Sequence, residues 1–346
     1  MIEDFKVAFT ADFFDTQGKA KYRDIGLAVF EAEPQIKHRV FEQHRKEIGA
    51  DQVGDANGVV VLTPSVTAAS VSRAEHLLAI ARFGVGYDAV DVPACTEADL
   101  LVTITKGAVD RSVAEATVCW MLALCHQLRP KDSLVRAGQW DRRSGYMGAE
   151  LRDRTLGVIG LGGIARKTIE LLGGFGMRQP LAYDPYLNAS AATAVGARLV
   201  SLDELLRESD FVSVHCPLSD KTLGLLNARE LASMKPTAYL LNTARGGIVD
   251  EQALYDALKT GAIAGAAIDC FAEEPVTRPH KLGELENVLL APHCIAWTDE
   301  LFRDIGKAAC QVMVDLSHGK EPFGMLNPEV LDRPGFKAKW AKWKTQ

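Results

Sequence analysis

The chain has 346 residues, of which 47% are hydrophobic and 24% are charged, a composition typical of globular rather than disordered proteins. Its length fits about two domains. Lys and Arg number 39 against 45 Asp and Glu, and the formal charge of −6 disfavours binding to a nucleic-acid backbone. No apolar run approaches the ~20 residues that cross a bilayer.

The N-terminal segment and the cysteines both bear on the cellular compartment of the protein. The first residues, MIEDFKVAFTADFF, carry acids where a secretory signal carries basic residues, so no export is expected. The seven cysteines include no C-x-x-C pair and no His partner at zinc-finger spacing. We therefore expect a soluble, cytoplasmic protein with reduced thiols, no disulfide framework and no metal.

In the first hundred residues, short apolar runs alternate with polar stretches. The runs at 6–10 and 58–62 predict buried strands, and the charged stretch at 34–49 predicts a helix. Residues 77–91, LLAIARFGVGYDAVD, predict a strand that ends in a loop. The glycines at 84 and 86 let the backbone of that loop approach a ligand closely.

A long apolar helix is predicted next. Ser112 and Glu115 have the spacing of a capping box, and the following SVAEATVCWMLALCHQL is apolar on nearly every face. Such a helix must be buried all round, against another domain or another subunit. The polar, glycine-containing stretch at 136–154 predicts a connecting segment.

From residue 155 onward, strands alternate with helices. Polar caps at Ser201, Asn227 and Asp250 predict helix starts, and Gly261 predicts a helix end. Alternation of this kind indicates parallel strands with crossover helices, a doubly wound sheet. A further helix is predicted after 298. The six apolar runs that predict strands here are 155–160, 180–184, 211–215, 238–242, 265–269 and 287–291.

The first of these strands runs into GLGGIA, which has the dinucleotide-binding pattern G-x-G-x-x-A. Gly160 permits a tight turn, Gly162 lets the backbone touch a pyrophosphate, and Ala165 allows close packing of helix on strand. The start of the next helix offers unpaired N–H groups to the anion. The pattern alone also fits an ordinary glycine-rich turn, but its position between a strand and a helix favours a nucleotide site.

Asp184 completes this fingerprint at the end of the next strand. A carboxylate there can accept hydrogen bonds from ribose hydroxyls and repels a 2′-phosphate. No Arg follows within 183–190 to attract such a phosphate. The alternative is a turn cap before Pro185. We predict NAD rather than NADP as the cofactor.

Three further residues follow predicted strands, where ligands of open α/β sheets bind. Arg245 offers a planar fork for a carboxylate and a carbonyl oxygen. His293 can give or take a proton near neutral pH, and a carboxylate such as Glu274 beside it favours the imidazolium and fixes its tautomer. Each residue alone is more often a surface or structural group; together they fit one chemistry, in which a nicotinamide carries the hydride.

These residues and their surroundings resemble the D-isomer-specific 2-hydroxyacid dehydrogenases, a family that includes phosphoglycerate dehydrogenases and hydroxypyruvate/glyoxylate reductases. The matching stretches keep the family's order and cover most of the chain between 82 and 298. They are 82–91, 112–122, 157–165, 182–186, 215–227, 240–254, 265–275 and 291–297.

The resemblance implies roles for individual residues. Arg245, Glu274 and His293 would be the catalytic trio, and Arg245 would share the substrate carboxylate with the backbone of Gly84, Val85 and Gly86. The positions implied to contact NAD are Gly160, Gly162, Gly163, Ile164, Asp184, Cys216, Thr243, Ala244, Arg245, Asp269 and His293.

The resemblance also implies an α/β fold of two domains, each a doubly wound parallel sheet. A Rossmann NAD-binding domain at 106–298 would be inserted into a flavodoxin-like substrate domain formed by 1–105 and 299–346. The active site would lie in the cleft, and the helix from 112 would serve as the arm of a homodimer.

Some positions depart from the family pattern. Gly163 stands where relatives often have Arg, and Lys106 and Asp110 stand where many have neutral residues. Lys106 either attracts a second anionic group of the substrate or is a solvated loop lysine. Formate dehydrogenases carry Gln in place of Glu274, which disfavours formate. The chain ends soon after its C-terminal helix, so we expect no regulatory domain and no control by an amino acid.

The expected activity is NAD-dependent interconversion of a small 2-oxo acid and its D-2-hydroxy acid. The expected partners are this small molecule and a second copy of the chain, with no nucleic acid and no membrane. Two alternatives stay open: a dinucleotide-sensing, corepressor-like binding protein with little turnover, and a phosphite-type dehydrogenase. Tyr146 and Trp297 either shape the substrate pocket or pack in the core or at a dimer contact.

Overall fold

The computed structural model describes residues 3–15 and 17–344. The chain divides into two compact units, residues 1–109 with 297–346 and residues 110–296. The chain therefore changes unit after 109 and again after 296, against the expected 105 and 298. Within the described residues, no helix is long and apolar enough to cross a membrane.

The first unit is built on a parallel five-stranded sheet of order β2-β1-β3-β4-β5, the order of flavodoxin-like doubly wound folds. Val59, Val60 and Ala79 on its central strands are fully buried, as expected of a sheet covered on both faces. Its elements before residue 110 are β1 (Phe5–Phe9), β2 (Ile36–Val40), α1 (Ala50–Val53), β3 (Gly58–Val61), β4 (Ala79–Arg82), α2 (Val92–Glu97) and β5 (Leu101–Ile104).

The helix predicted at 34–49 is wrong, because the structure has strand β2 there. β2 lies at the edge of the sheet and, among residues 3–15 and 17–344, pairs only with β1. Lys37, His38 and Arg39 are exposed, which is typical of an edge strand that resists pairing with other chains. The sequence of such a strand does not alternate between apolar and polar residues. Its high charge is also typical of a solvent-exposed helix, which explains the wrong prediction.

The second unit contains a parallel seven-stranded sheet of order β12-β11-β10-β9-β6-β7-β8, the Rossmann order with one added strand. Its order reverses between β6 and β9. Its elements are α3 (Asp110–Cys125), α4 (Leu128–Arg136), β6 (Leu156–Ile159), α5 (Gly163–Leu171), β7 (Leu181–Tyr183), α6 (Ala189–Thr193), β8 (Arg198–Leu199), α7 (Leu202–Glu208), β9 (Phe211–Val214), α8 (Ala228–Ser233), β10 (Tyr239–Asn242), α9 (Glu251–Thr260), β11 (Gly265–Ile268) and β12 (Val288–Leu290).

The predictions for this unit are largely confirmed. All six predicted strands are present, and the predicted caps Ser201, Asn227 and Asp250 accept hydrogen bonds from the first turns of α7, α8 and α9. Gly261 ends α9 in the left-handed conformation, with φ 72°. The two-residue edge strand β8 was not predicted, because two residues are too few to show periodicity.

The start of α3 differs from the prediction. The helix begins at Asp110, so Ser112 lies inside its first turn and is not the cap; an acid at the first position interacts favourably with the helix dipole. Trp120 and Met121 are buried, but Glu115 and Cys119 are exposed. The chain by itself therefore does not bury this helix on every side.

The last segment returns to the first unit. It forms α10 (Asp299–Ser317) and α11 (Pro334–Lys344), where Trp340 and Trp343 are almost fully buried. The Lys339 ammonium lies within hydrogen-bond distance of four main-chain carbonyls, those of Ala74, Leu77, Ala98 and Asp99, and so fixes α11 to this unit. Short 3-10 helices lie at Ala11–Phe13, Leu27–Phe30, Trp140–Gly145, Leu172–Gly174, Lys281–Glu284 and Pro328–Asp332.

Candidate active site

The glycine-rich turn connects β6 to α5, beside the point where the strand order reverses. Gly160 has φ 89°, and a Cβ there would lie 2.8 Å from the Cys216 nitrogen, so both its conformation and its neighbour require glycine. Gly162 precedes α5, and no atom lies within 4 Å of the place where its Cβ would stand. At Gly162 the backbone just before α5 therefore has room for a ligand beside the N–H groups of the helix N-terminus.

Gly163 and Ile164 are the first two residues of α5. A Cβ on Gly163 would stand against the carboxylate of Asp110, so a larger residue here requires the Asp110 side chain to move. Ala165 is fully buried, which permits the close packing of α5 on β6. The Arg166 side chain also lies at this turn, where its Nε donates to the Leu161 carbonyl at 2.9 Å.

Asp184 follows β7 and is half-buried. Its Oδ2 accepts from the Leu161 N–H at 3.0 Å, and its Oδ1 accepts from the Tyr186 N–H at 3.0 Å. The carboxylate is thus both the turn cap considered for this position and a fixed negative charge beside the glycine-rich turn. Each oxygen keeps a lone pair for a ribose hydroxyl.

Other predicted cofactor positions follow β9, β10 and β11. Burial raises the pKa of the Cys216 thiol to about 11, so this thiol is neutral at physiological pH. The Thr243 hydroxyl is buried without a hydrogen-bond partner in the described part of the chain, a vacancy that a ligand group can fill. Asp269 accepts from the amides of Cys294 and Ile295; burial raises its pKa although these bonds oppose the shift.

Arg245 stands in a rigid loop directly after β10. The buried Asn242 accepts from the Ala244 N–H at 3.0 Å and donates to the Arg245 carbonyl at 2.8 Å. A Cβ on Gly246 would collide with the backbone of Phe271, so the chain can turn here only with glycine. Asn242 is not among the predicted site residues, although an amide at the end of a strand, directly before T-A-R-G-G, is a sequence signal for it.

The Arg245 guanidinium is also oriented locally. Its Nη1 donates to the Ala244 carbonyl at 2.6 Å. Its charge contributes to lowering the pKa of Glu274, which places the two groups within electrostatic reach of each other.

His293 and Glu274 form a direct pair. The imidazole Nδ1 lies 2.7 Å from the Glu274 Oε2, and the other oxygen, Oε1, accepts from the Phe271 N–H at 2.8 Å. Burial raises the pKa of Glu274, but the hydrogen bonds from His293 and Phe271 lower it by more, so the carboxyl titrates below its usual range. Glu274 is therefore an anion at neutral pH.

The backbone of His293 is held in a conformation that non-glycine residues rarely adopt. Its φ is 53°, and its N–H donates to the Asp269 carbonyl at 2.8 Å. Such a conformation persists where the surrounding contacts hold it in place. The loop after β12 is thus tied to the loop after β11, which carries Glu274.

The second unit therefore brings Arg245, Glu274 and His293 to neighbouring strand ends. Cys270, which the sequence analysis did not consider, lies among them. It is 2% exposed, and its Sγ donates to the Ala244 carbonyl at 3.5 Å. Nothing in the spacing of the cysteines indicated this position, because its neighbours come from distant parts of the chain.

The predicted substrate-carboxylate residues lie in the first unit, after β4. Gly84 has φ 131°; its N–H donates to the Thr105 hydroxyl at 3.1 Å, and its carbonyl accepts from the Thr105 N–H at 3.0 Å. Val85 and Gly86 are half-buried. Gly84 is thus an anchor of this loop.

The sequence left two possible roles for each of three further residues, and these residues differ in their surroundings. Lys106 is exposed in a turn after β5, and Tyr146 is half-buried after a 3-10 helix. Trp297 is 53% exposed and meets Tyr22 and Phe302 edge-on, at centroid distances of 5.7 and 5.2 Å. Trp297 is therefore a partly exposed surface residue of the first unit and not a core residue.

The chain was compared with known protein families and with known proteins. Residues 118–294 match the family model of the D-isomer specific 2-hydroxyacid dehydrogenase NAD binding domain. A glyoxylate reductase of Thermofilum pendens is 39% identical over 275 residues, which are 78% of this chain and 81% of the relative. A D-3-phosphoglycerate dehydrogenase of Methanocaldococcus jannaschii is 37% identical over 82% of this chain, but the match covers only 54% of that protein.

A solved structure gives the same result. The D-lactate dehydrogenase from Aquifex aeolicus, complexed with NAD and lactic acid, superimposes with a TM-score of 0.75 at 27% identity, over 89% of this chain and 94% of that one. The parallel sheets, the glycine-rich turn and the aligned sequence lead to one conclusion. The chain belongs to the family of D-isomer-specific 2-hydroxyacid dehydrogenases, enzymes that use NAD.

Proposed function

We propose that this NAD-dependent D-2-hydroxyacid dehydrogenase acts on small 2-oxo acids, with glyoxylate and hydroxypyruvate as the first candidates, and that His293, Glu274 and Arg245 carry the reaction. The observation that carries the proposal is the 2.7 Å pair between His293 Nδ1 and Glu274 Oε2, with Arg245 within electrostatic reach. The glyoxylate reductase relatives support the choice of substrate.

Several features of the second unit fit NAD. The turn at Gly160–Gly162, with room for a ligand beside the start of α5, suits the pyrophosphate, Asp184 suits the ribose, and the unpartnered Thr243 hydroxyl suits a polar group nearer the reacting end. When bound, NAD supplies or accepts the hydride. Asp184 also accounts for a preference for NAD over NADP, because its charge repels a 2′-phosphate.

His293 handles the proton. Its Nδ1 faces Glu274, so Nδ1 carries a proton that the carboxylate accepts, and Nε2 is the nitrogen left to donate to the substrate oxygen during reduction. Glu274 stabilises the imidazolium before donation and holds the ring in one orientation. In the reverse direction, Nε2 takes the proton from the hydroxyl.

Arg245 orients the substrate. Its fork can bind a carboxylate oxygen and the neighbouring carbonyl oxygen together, which polarises the carbonyl that is reduced. We assign the rest of the carboxylate to the backbone amides of Val85 and Gly86. The N–H of Gly84 is already bonded to Thr105, so Gly84 serves to shape the loop.

The assembly and the compartment belong to the same proposal. Four large apolar side chains between residues 128 and 147 are exposed, namely Leu128, Val135, Trp140 and Met147. An apolar surface of this kind suits contact with a second copy of the chain, and we propose a homodimer.

None of the seven cysteines, all in the described part of the chain, forms a disulfide, which suits the cytoplasm.

The test is turnover by the purified protein with NADH and a panel of glyoxylate, hydroxypyruvate, pyruvate and bulkier 2-oxo acids. We expect rapid reduction of at least one small member, and a loss of about 10²–10⁴-fold in His293→Ala. His44→Ala, at an exposed position, is the matched control and should behave like the parent. Only trace rates across the panel would favour a dinucleotide-sensing protein, and a fully active His293→Ala would refute the assignment of His293.

A further inference from the structure

Cys270, Glu274 and His293 form a group of three metal-ligating side chains in the second unit. One ligand atom of each lies within 4.8 Å of the other two. Thiolate, carboxylate and imidazole are all ligands of zinc, and a thiolate in the set selects zinc over magnesium or calcium. The three positions lie on two loops, after β11 and after β12, whose backbones are joined by the His293 N–H bond to Asp269.

The geometry points to a zinc-binding site at Cys270, Glu274 and His293, at which the ion inhibits the enzyme by occupying its proton-transfer pair. The inhibitory part rests on the proposed function, whereas the binding site does not. Three protein ligands with a fourth position open to water or substrate are a usual zinc arrangement.

The distances are close to those that zinc requires. Zinc binds sulfur at about 2.3 Å and nitrogen or oxygen at about 2.0–2.2 Å, which sets tetrahedral ligand atoms about 3.3–3.8 Å apart. The three atoms therefore need to close by up to about 1 Å, and the 2.7 Å pair of His293 and Glu274 needs to open slightly.

Access and charge also favour the ion. The side chains of His293 and Glu274 are 45% and 34% exposed, so a hydrated ion can reach them before it meets the buried thiol. Binding releases the thiol proton to solvent, and the Nδ1 position loses its proton either to solvent from an imidazolium or to Nε2 within a neutral ring. Thiolate and carboxylate then neutralise the two charges of the ion.

Zinc inhibits the enzyme because it displaces the proton between His293 and Glu274. Zinc on Nδ1 takes the place of the proton that the Glu274 carboxylate accepts, so the imidazolium cannot form. The Nε2–H of a zinc-bound imidazole is a far weaker acid than an imidazolium, because its loss leaves an imidazolate, and the substrate oxygen is therefore left without an effective proton donor. We therefore expect full reversal when a chelator removes the ion.

The experiment uses the whole protein and two metals. Zinc added to the parent should abolish 2-oxo acid reduction, and EDTA should restore it. Cys270→Val replaces the sulfur by an apolar side chain that is one methyl group larger and cannot bind zinc, so it should keep the metal-free activity and need at least about tenfold more zinc for the same inhibition. Cys294→Ser is the matched control, because Cys294 adjoins His293 but is not in the group, and it should be inhibited like the parent.

Cobalt provides a readout that does not depend on turnover. Cobalt titrated into the parent without substrate should give the near-ultraviolet absorption of a thiolate–cobalt bond, and Cys270→Ser should lack it. Absence of this band in the parent, or equal zinc sensitivity of Cys270→Val and the parent, would overturn the site. Activity in EDTA tests the proposed function separately, so the two failures are distinguishable.

Discussion

The Nδ1 of His293 and the Oε2 of Glu274 lie 2.7 Å apart although 19 residues separate them in the chain. Glu274 comes from the loop after β11, and His293 comes from the loop after β12. Because parallel strands end at the same edge of a sheet, successive loops can supply a proton donor and its orienting carboxylate.

This pair predicts the effect of Glu274→Gln. Glutamine keeps an acceptor for Nδ1–H but removes the negative charge that favours the imidazolium. We expect reduction at neutral pH to fall by at least about tenfold. The kcat/KM for 2-oxo acid reduction measures this. An unchanged kcat/KM in Glu274→Gln would show that the charge of residue 274 is not required.

Arg245→Lys tests whether the planar guanidinium group, with its two parallel N–H donors, is needed to bind the substrate. Lysine keeps the charge but cannot bind two oxygens in one plane, so we expect kcat/KM to fall by about 10²-fold, and Arg245→Ala to lose more. Added guanidinium should partly rescue Arg245→Ala. Arg229→Lys, on an exposed side chain, is the control and should match the parent. An active Arg245→Lys would show that charge alone suffices at this position.

Asp184→Asn tests cofactor choice. The substitution removes the charge that repels a 2′-phosphate and weakens the acceptors that serve Leu161, Tyr186 and the ribose. We expect the ratio of kcat/KM for NADH to that for NADPH to fall by about tenfold or more. Asp203→Asn changes the net charge equally at an exposed position of α7 and should leave the ratio unchanged. An unchanged ratio in Asp184→Asn would assign the discrimination to other groups.

His215 predicts how stability depends on pH. It follows β9, and burial lowers its pKa from 6.5 to about 4; its Nε2 lies 2.8 Å from the Ser213 hydroxyl. Between these two values the unfolded chain binds a proton that the native protein does not. The free energy of unfolding therefore falls as the pH decreases through this window, by about 2 kcal/mol between pH 7 and pH 5.

The measurement is urea unfolding of the parent and His215→Asn at both pH values. The variant cannot titrate at this position, so the loss between pH 7 and pH 5 should be about 2 kcal/mol smaller than in the parent. His44→Asn, at an exposed histidine, should reproduce the parent's loss. Equal losses in the parent and His215→Asn would show that residue 215 does not titrate in this way.

Much of the fold was readable from the sequence because its signals are local. Strands buried on both faces are continuous apolar runs, such as those at 211–215 and 238–242, and caps such as Ser201 and Asp250 bond within their own helical turn. Two of the edge strands, β2 and β8, were not readable, because β2 is charged and β8 has only two residues. Their conformation depends on the neighbouring strand and not on their own pattern.

The sequence by itself determined which groups can do the chemistry: a glycine-rich turn after a strand, and an arginine, a glutamate and a histidine after others. Only the tertiary structure decided which atoms meet. It joined Nδ1 to Oε2, fixed Arg245 through Asn242 and placed the Cys270 thiol beside the pair. The physical reason is that these contacts join residues far apart in the chain, and sheet register and loop backbone, rather than local preference, set their distances.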